Sequence, residues 1–357
     1  MRLHPEIFVL RRRSMGSKHV NIPIFIPHLG CPNNCVFCNQ HTISGHGEFE
    51  LARARREIDE ALSTIGEGVP TEIAFFGGSF TGIERELMIA LLELAEEYVR
   101  SGRVREIRLS TRPDYIDSEI LSILSRYSVK TVELGLQSLD DGVLSASRRG
   151  HDRLCALEAC IAVKEAGFSL IGQMMIGLPL SDAEKERETA ELICKSGADG
   201  ARVYPTVVFA DTELACMMER GEYQPLLLDD AVERTKNVLA VFDRYGVPCI
   251  RVGLCASENL SDASVAIAGA NHAAIGEMAM SALYLERISA ELDRLGIHGG
   301  GVKIYVARGA TSKAVGQKKI NKVKICEKYG LEWVKVLEKN EIIGYNILVE
   351  HFADRQY

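Results

Sequence analysis

Three cysteines carry the sharpest chemical signal in the chain. They stand as Cys31-Pro-Asn-Asn-Cys35-Val-Phe-Cys38, a C-x-x-x-C-x-x-C spacing. Three thiolates this close together can wrap one loop around a single soft metal centre. Three ligands leave one iron of a four-iron cluster open, as a cluster requires if it binds a substrate or cofactor and does not only pass electrons. Zinc would want a fourth ligand. His28 is near in sequence, but structural zinc sites usually use paired C-x-x-C spacings. A purely electron-transferring cluster would want four cysteines. Phe37, beside the last cysteine, is placed to wall such a site off from water.

Other polar and glycine positions fall where parallel α/β folds collect ligands. Gly77-Gly78 follows an apolar run, and a residue without Cβ lets the backbone approach a ligand closely. A tight strand-to-helix turn is the alternative. Ser79 is placed to hydrogen-bond a ligand or to cap the next helix. Gln137 and Arg149 flank a strand end and the following loop. Arg149 reads otherwise as a surface charge, as neighbouring Arg148 does. Glu133 lies within a strand, as a ligand contact or as half of a structural pair. Gln173 lies on an apolar strand, so its amide must be satisfied by a ligand or by backbone.

The elements that position these residues alternate in type. Strand-like runs at 21–27, 72–76, 104–109, 130–134, 169–176, 201–204 and 247–252 are separated by helical patterns at 51–65, 84–100, 117–127, 152–166, 182–196 and 229–245. Asp117 is a plausible helix N-cap. Repetition at roughly 30-residue spacing argues for consecutive βαβ units and a parallel sheet. About six units are too few for an eight-fold barrel, so the expectation is an α/β fold: a partial (β/α)6 TIM-type barrel with a small C-terminal α/β extension. The expected organisation is an N-terminal basic arm (1–20), a core (21–258) and the extension (259–357). The extension reads as a long helix over 274–295, a strand at 302–307, a helix at 320–329 and strands at 331–337 and 342–349.

Bulk properties exclude several classes. No apolar run in the 357 residues reaches the ~18–20 needed to span a bilayer, so no membrane association is expected. The apolar stretch near the N-terminus covers only Ile7 to Leu10, too short for a signal-peptide core. The expected location is cytoplasmic. Ten cysteines diluted over such a chain read as thiols or metal ligands, not disulfides. The seven outside the triplet form no second cluster motif and read as small buried hydrophobes. A net charge of −7 removes any global basic field for nucleic acid, leaving only local patches. Two such patches are Arg11-Arg12-Arg13 with Lys18, and Lys313, Lys318 and Lys319 with Lys322 and Lys324. A solvated charged helix is the plain alternative for either.

The cysteine spacing, with an aromatic before the last cysteine, resembles the signature of the radical S-adenosylmethionine (SAM) superfamily. Phe76-Gly77-Gly78-Ser79-Phe80-Thr81 is similar to the superfamily's glycine motif after the second strand. Glu133-Leu-Gly-Leu-Gln137-Ser138 with Arg148-Arg149-Gly150-His151, and Gln173-Met-Met-Ile176-Gly177-Leu178-Pro179, resemble strand motifs of the Elongator catalytic subunit and of oxygen-independent coproporphyrinogen oxidase. Gly269-Ala-Asn-His272-Ala-Ala-Ile-Gly276-Glu277 and Gly316-Gln317-Lys318-Lys319-Ile320-Asn321 look like the extension that follows the Elongator barrel. The sequence ends before an acetyltransferase domain of the Elongator kind could fit, so coupling to acetyl-CoA in that manner is not expected.

The resemblance implies a 4Fe-4S cluster on Cys31, Cys35 and Cys38, with SAM at its open iron. It implies reductive cleavage of SAM to a 5′-deoxyadenosyl radical that abstracts a hydrogen atom from substrate. SAM contacts would fall to Phe37, Gly77, Gly78, Ser79, Glu133, Gln137, Arg149 and Gln173, with the residues that act on substrate left unidentified. The implied partners are tRNA, modified at a base, and an electron donor such as flavodoxin or ferredoxin. An oxidoreductase acting on a small molecule such as a tetrapyrrole intermediate is the alternative, and a non-enzymatic electron carrier a third.

Overall fold

The computed structural model describes residues 20–26, 31, 35–38, 49–254 and 262–353. The barrel part begins with β1 (Val20–Ile26), α1 (Leu51–Thr64), β2 (Thr71–Gly77), α2 (Arg85–Arg100), β3 (Glu106–Thr111) and α3 (Ser118–Leu124). It continues with β4 (Val129–Gln137), short α4 (Asp141–Ala146), α5 (Arg153–Glu165), β5 (Ser169–Ile176) and α6 (Ala183–Lys195). Then come β6 (Gly200–Pro205), β7 (Val207–Phe209), α7 (Glu213–Glu219), α8 (Leu228–Arg244) and β8 (Cys249–Val252). Strands β1 to β6 and β8 pair in that order, all parallel, as a sheet curled into a half-barrel. Six strand–helix units and a closing seventh strand are thus the expected partial barrel.

Alternation along each strand separates two faces. On β4, Val132, Leu134 and Leu136 are fully buried against the helices, whereas Glu133, Gly135 and Gln137 point the other way. Ile22 and Ile24 of β1, Ile73 and Phe75 of β2, and Ile107 and Leu109 of β3 share that helix-facing core with Ile58, Leu91 and Leu92. Each such side chain contributes about 1.5–3 kcal/mol on leaving water. The concave face is polar and carries Glu72, Arg108, Glu133, Gln173 and Arg202. The helices start as their sequences dictate. Asp117 accepts from the Ile120 amide at 2.7 Å, and Asp140, Asp152 and Asp182 cap α4, α5 and α6 in the same way.

The rest of the chain has its own core. β9 (Ala266–Gly269) pairs antiparallel with β7. α9 (Ile275–Leu295) packs against α8 through Ala279 and Leu283, and its later turns place Tyr284, Ile288 and Leu292 in a second apolar cluster. That cluster is covered by β10 (Gly301–Val306), β11 (Trp333–Glu338), β12 (Leu348–Phe352) and the helices α10 (Thr311–Val315) and α11 (Ile320–Tyr329). β10 is the central strand, with β11 parallel and β12 antiparallel to it.

The strand expected at 342–349 starts only at Leu348. Gly344 has φ +61°, its carbonyl accepts from the Tyr284 hydroxyl at 3.1 Å, and the Tyr345 ring lies 5.1 Å from that of Tyr284. Anchoring on α9 holds this segment as a turn. Among the described residues, no helix is long and apolar enough to cross a membrane.

Candidate cofactor site

Because all seven sheet strands are parallel, their C-terminal ends lie along one rim. The cysteine loop is tied to that rim by main-chain bonds. Val36 N donates to Ser147 O at 3.2 Å and Leu214 N donates to Val36 O at 2.8 Å, while Cys38 N donates to Cys35 O at 3.0 Å and closes a turn within the loop itself. Ser147 follows α4 and Leu214 belongs to α7, two short helices with no clear sequence signal. Val36 is buried in a small apolar cluster with Val208, Leu214 and Tyr223, and Phe37 packs on it half-buried.

Two arginines converge on the middle cysteine. Arg149 Nη1 lies 3.2 Å from Cys35 Sγ, and its Nη2 donates to Gly135 O at 2.5 Å. Arg112, directly after β3, places Nη1 3.9 Å from the same sulfur and holds Asp114 through two bonds of 2.9 and 2.7 Å. It also donates to the main-chain carbonyl of Arg149. His151 stands behind this group, its side chain inaccessible to solvent and its Nδ1 3.7 Å from Asp114 Oδ1. Burial, helped by the charge of Arg149, lowers the imidazole to about 4. Sequence reasoning missed Arg112 and Asp114. Their one signal was position, in the loop that ends a predicted strand.

The remaining predicted residues gather at the same rim or just below it. Gln137 ends β4 in a left-handed conformation (φ +66°), and its Oε1 accepts from Gln173 Nε2 at 3.3 Å. A Cβ on Gly135 would stand 3.0 Å from Gln137 Nε2, so this glycine makes room for that side chain. Glu133 is buried on the concave face with Arg202 Nε 2.9 Å from its Oε2. Burial raises its carboxyl against the opposing pull of Arg202 and Arg108. Arg202 also lies 5.3 Å from the Phe76 ring centroid.

Ser79 does not cap a helix. Its hydroxyl, 1% exposed, pairs with Thr111 Oγ1 at 2.7 Å and accepts from the Arg112 amide at 3.2 Å, tying the loop after β2 to the end of β3. Gly77 has φ +119°, and a Cβ there would lie 2.0 Å from the Ile26 carbonyl oxygen. Arg148 is exposed and pairs with Glu213 at 3.1 Å, an ordinary surface contact.

Comparison with known proteins gives the family. The radical SAM superfamily model matches residues 25–193, and the radical SAM C-terminal domain model follows over 198–287. The chain belongs to the radical SAM superfamily. It is 26% identical over 229 residues to an uncharacterized protein of Methanocaldococcus jannaschii, MJ0486, covering 60% of this chain and 69% of the relative. It is 26% identical over 244 residues to the tRNA uridine(34) acetyltransferase of the same organism, covering 57% of this chain but only 45% of the relative. The match thus spans about half the length of the acetyltransferase. Among solved structures, the Methanocaldococcus infernus Elp3 with an N-terminal deletion (1–46) superposes with a TM-score of 0.57 at 18% identity. It covers 78% of this chain and 64% of that one, a likeness of fold.

Radical SAM enzymes work with a 4Fe-4S cluster and SAM, and the thiols of this member fit the cluster. Burial pushes Cys38 up to about 12 and raises Cys31, with the charges of neighbouring cysteines adding to both shifts. Held by iron they would be thiolates, and the charges of Arg112 and Arg149 beside Cys35 would offset that charge. Among the described residues, no three His, Cys, Asp or Glu side chains gather as a site for one bare ion. A four-iron cube instead takes its thiolates at separate corners.

A cavity of about 490 Å³ opens beside the ends of β6 and β8, lined by Pro205, Gly253, Gly269, His272 and Ile275 among others. That volume suits a small ligand or one nucleobase. His272 lines it and accepts from the Ala274 amide through Nδ1 at 3.1 Å.

Of the predicted RNA contacts, only Lys313, Lys318 and Lys319 fall among the described residues. Arg11, Arg12, Arg13 and Lys18 lie outside the described residues. Lys313 is on α10, and Lys318 and Lys319 form the exposed turn before α11, both at positive φ. The motif around them is held structurally. Asn321 Nδ2 donates to Ser281 O at 2.9 Å and Ala314 O at 3.1 Å, and a Cβ on Gly316 would collide with Ile320.

Proposed function

We propose that this radical SAM enzyme modifies a base of tRNA, with the wobble uridine as the first position to examine. The observation that carries the reading is the 244-residue match to the tRNA uridine(34) acetyltransferase. The cavity volume is compatible with a base at the rim.

In this reading Cys31, Cys35 and Cys38 hold the cluster and leave one iron for SAM. When bound, the cluster supplies the electron that breaks the SAM carbon–sulfur bond, drawn from a flavodoxin- or ferredoxin-class donor. The chain's residues position the reactants and exclude water. Arg149 and Arg112 place fixed positive charge beside Cys35, so negative charge on that ligand is offset without solvent. Gln137, paired with Gln173, orients an amide for the polar end of SAM. Gly77, Gly78 and Ser79 bring main chain up to the same ligand. Glu133, held by Arg202, meets its ribose, and Phe37 shields the cluster loop.

The test compares modified nucleosides in bulk tRNA from a deletion strain and its parent by mass spectrometry. A missing or truncated uridine modification in the deletion strain, restored by wild type but not by Cys35→Ala, is the expected result. An unchanged profile overturns the tRNA reading. SAM cleavage that persists in Cys35→Ala overturns the cluster assignment.

A further inference from the structure

The small C-terminal sheet buries one face and leaves the other to solvent. Val302, Ile304 and Val306 of β10 and Val334 of β11 point into the second core. Their neighbours along the strands therefore point outward. Strand register orders these outward residues in rows. The first row is Trp333–Gly301–Phe352, the second Lys335–Lys303–Glu350, and the third Leu337–Tyr305–Leu348. Trp333 and Phe352 are 39% and 40% exposed, large values for big aromatic side chains.

The glycine between the two rings explains how they are held. A Cβ on Gly301 would lie 1.9 Å from the Trp333 ring, so the indole leans flat over bare backbone toward Phe352. The ring centroids are 5.4 Å apart, at an interplanar angle of 42°. Cations accompany the rings. Lys303 Nζ is 4.5 Å from the Phe352 centroid and Lys339 Nζ is 5.8 Å from that of Tyr305. Lys335 is exposed beside them. The one acidic residue in the rows, Glu350, accepts from the Tyr305 hydroxyl at 2.8 Å. This face is basic on a chain whose net charge is −7.

Exposed aromatics on a sheet, flanked by lysines, suit unpaired nucleotides: bases stack on the rings while the lysines meet the phosphates. We infer that the outer face of β10, β11 and β12 binds a single-stranded segment of RNA. The choice of RNA rests on the tRNA reading above; the stacking platform itself rests on the rows. The face is separate from the turn carrying Lys318 and Lys319, because α11 packs on the buried side of the sheet through Ile325 and Tyr329.

The experiment measures binding of the full chain to a fluorescein-labelled 12-nucleotide single-stranded RNA and to bulk tRNA, by anisotropy across a salt series. Losing a stacking ring weakens single-strand binding by roughly tenfold to a hundredfold. Trp333→Ala/Phe352→Ala is therefore expected to bind the oligomer at least about tenfold more weakly, and Trp333→Phe to retain most of the affinity. Lys303→Ala/Lys335→Ala is expected to lower the salt slope by about 1.4, at about 0.7 per lost phosphate contact. SAM cleavage by each variant should match wild type, which checks folding.

Wild type that does not bind the oligomer, or ring variants that bind it unchanged, overturns the proposal. So does a ring variant that converts a dimer to monomer in sedimentation without changing RNA affinity, since the face would then join two copies of the chain. Ring variants that lose the oligomer while the nucleoside profile of the deletion strain stays intact support the platform and overturn the tRNA reading alone.

Discussion

Arg112→Leu tests the reading of the rim most directly. The wild-type guanidinium makes two bonds to Asp114, at 2.9 and 2.7 Å, one to the Arg149 carbonyl, and a contact of 3.9 Å with Cys35 Sγ. Its side chain is 5% exposed and that of Asp114 is 23% exposed. Removing one member of a buried pair costs 3–5 kcal/mol, because the other charge stays behind without compensation. Asp114 reaches some water, so the low end applies, about 3 kcal/mol. For a chain of 357 residues that corresponds to a fall in Tm of about 4 °C. Arg112→Lys keeps the charge but not the two-pronged fork, and should lose about half as much. Arg112→Leu/Asp114→Leu should recover at least about 1 kcal/mol, because no stranded carboxylate remains. Calorimetry reads the stability, and iron and sulfide per chain after anaerobic reconstitution read the cluster, which should fall in Arg112→Leu. If Arg112→Leu melts within about 1 °C of wild type with full iron, or the double variant is simply additive, the bridging role is refuted.

Gly77→Ala places a Cβ 2.0 Å from a backbone oxygen of Ile26 at a φ of +119°, so β1 must shift at the point where it feeds the cysteine loop. Strain of about 1–3 kcal/mol and reduced iron loading are expected; a urea midpoint and iron content equal to wild type would count against it. His151 sets an acid limit. Burial holds its folded value near 4, below the ordinary 6.5 of the unfolded chain, so it favours folding fully above pH 6.5. That contribution is lost as pH falls toward 4. Between pH 7 and 5 wild type should lose at most about 2 kcal/mol through this group, and His151→Gln should lack that loss. Equal pH dependence of the urea midpoints in both proteins would remove His151 as the cause.

The chain order of the barrel was readable from sequence because it is local. Apolar runs of strand length, helical spacing between them, and the Asp cap at 117 each depend on near neighbours only. The cysteine triplet was readable for the same reason, since its ligands lie on one short loop. The weaker signals were lost in the sequence. α4 and α7 are too short for periodicity to show, yet Ser147 and Leu214 beside them anchor that loop. The turn at 342–347 looked like a strand until Tyr345 met Tyr284 on a distant helix.

The sequence by itself determined the class of chemistry and the parallel α/β plan, through residue types at fixed local spacing. Only the tertiary structure decided which polar residues meet. It set Arg112 and Arg149 on one sulfur, though 37 positions separate them. It turned Ser79 toward Thr111 and left Arg148 at the surface beside buried Arg149. It also brought Trp333 and Phe352 together across a glycine on the strand between them. The physical reason is shared by the contacts made within the sheets and at their strand ends. Side-chain direction at a strand end, and the pairing of remote strands, are fixed by the sheet's hydrogen-bond register, and no window of sequence contains that register.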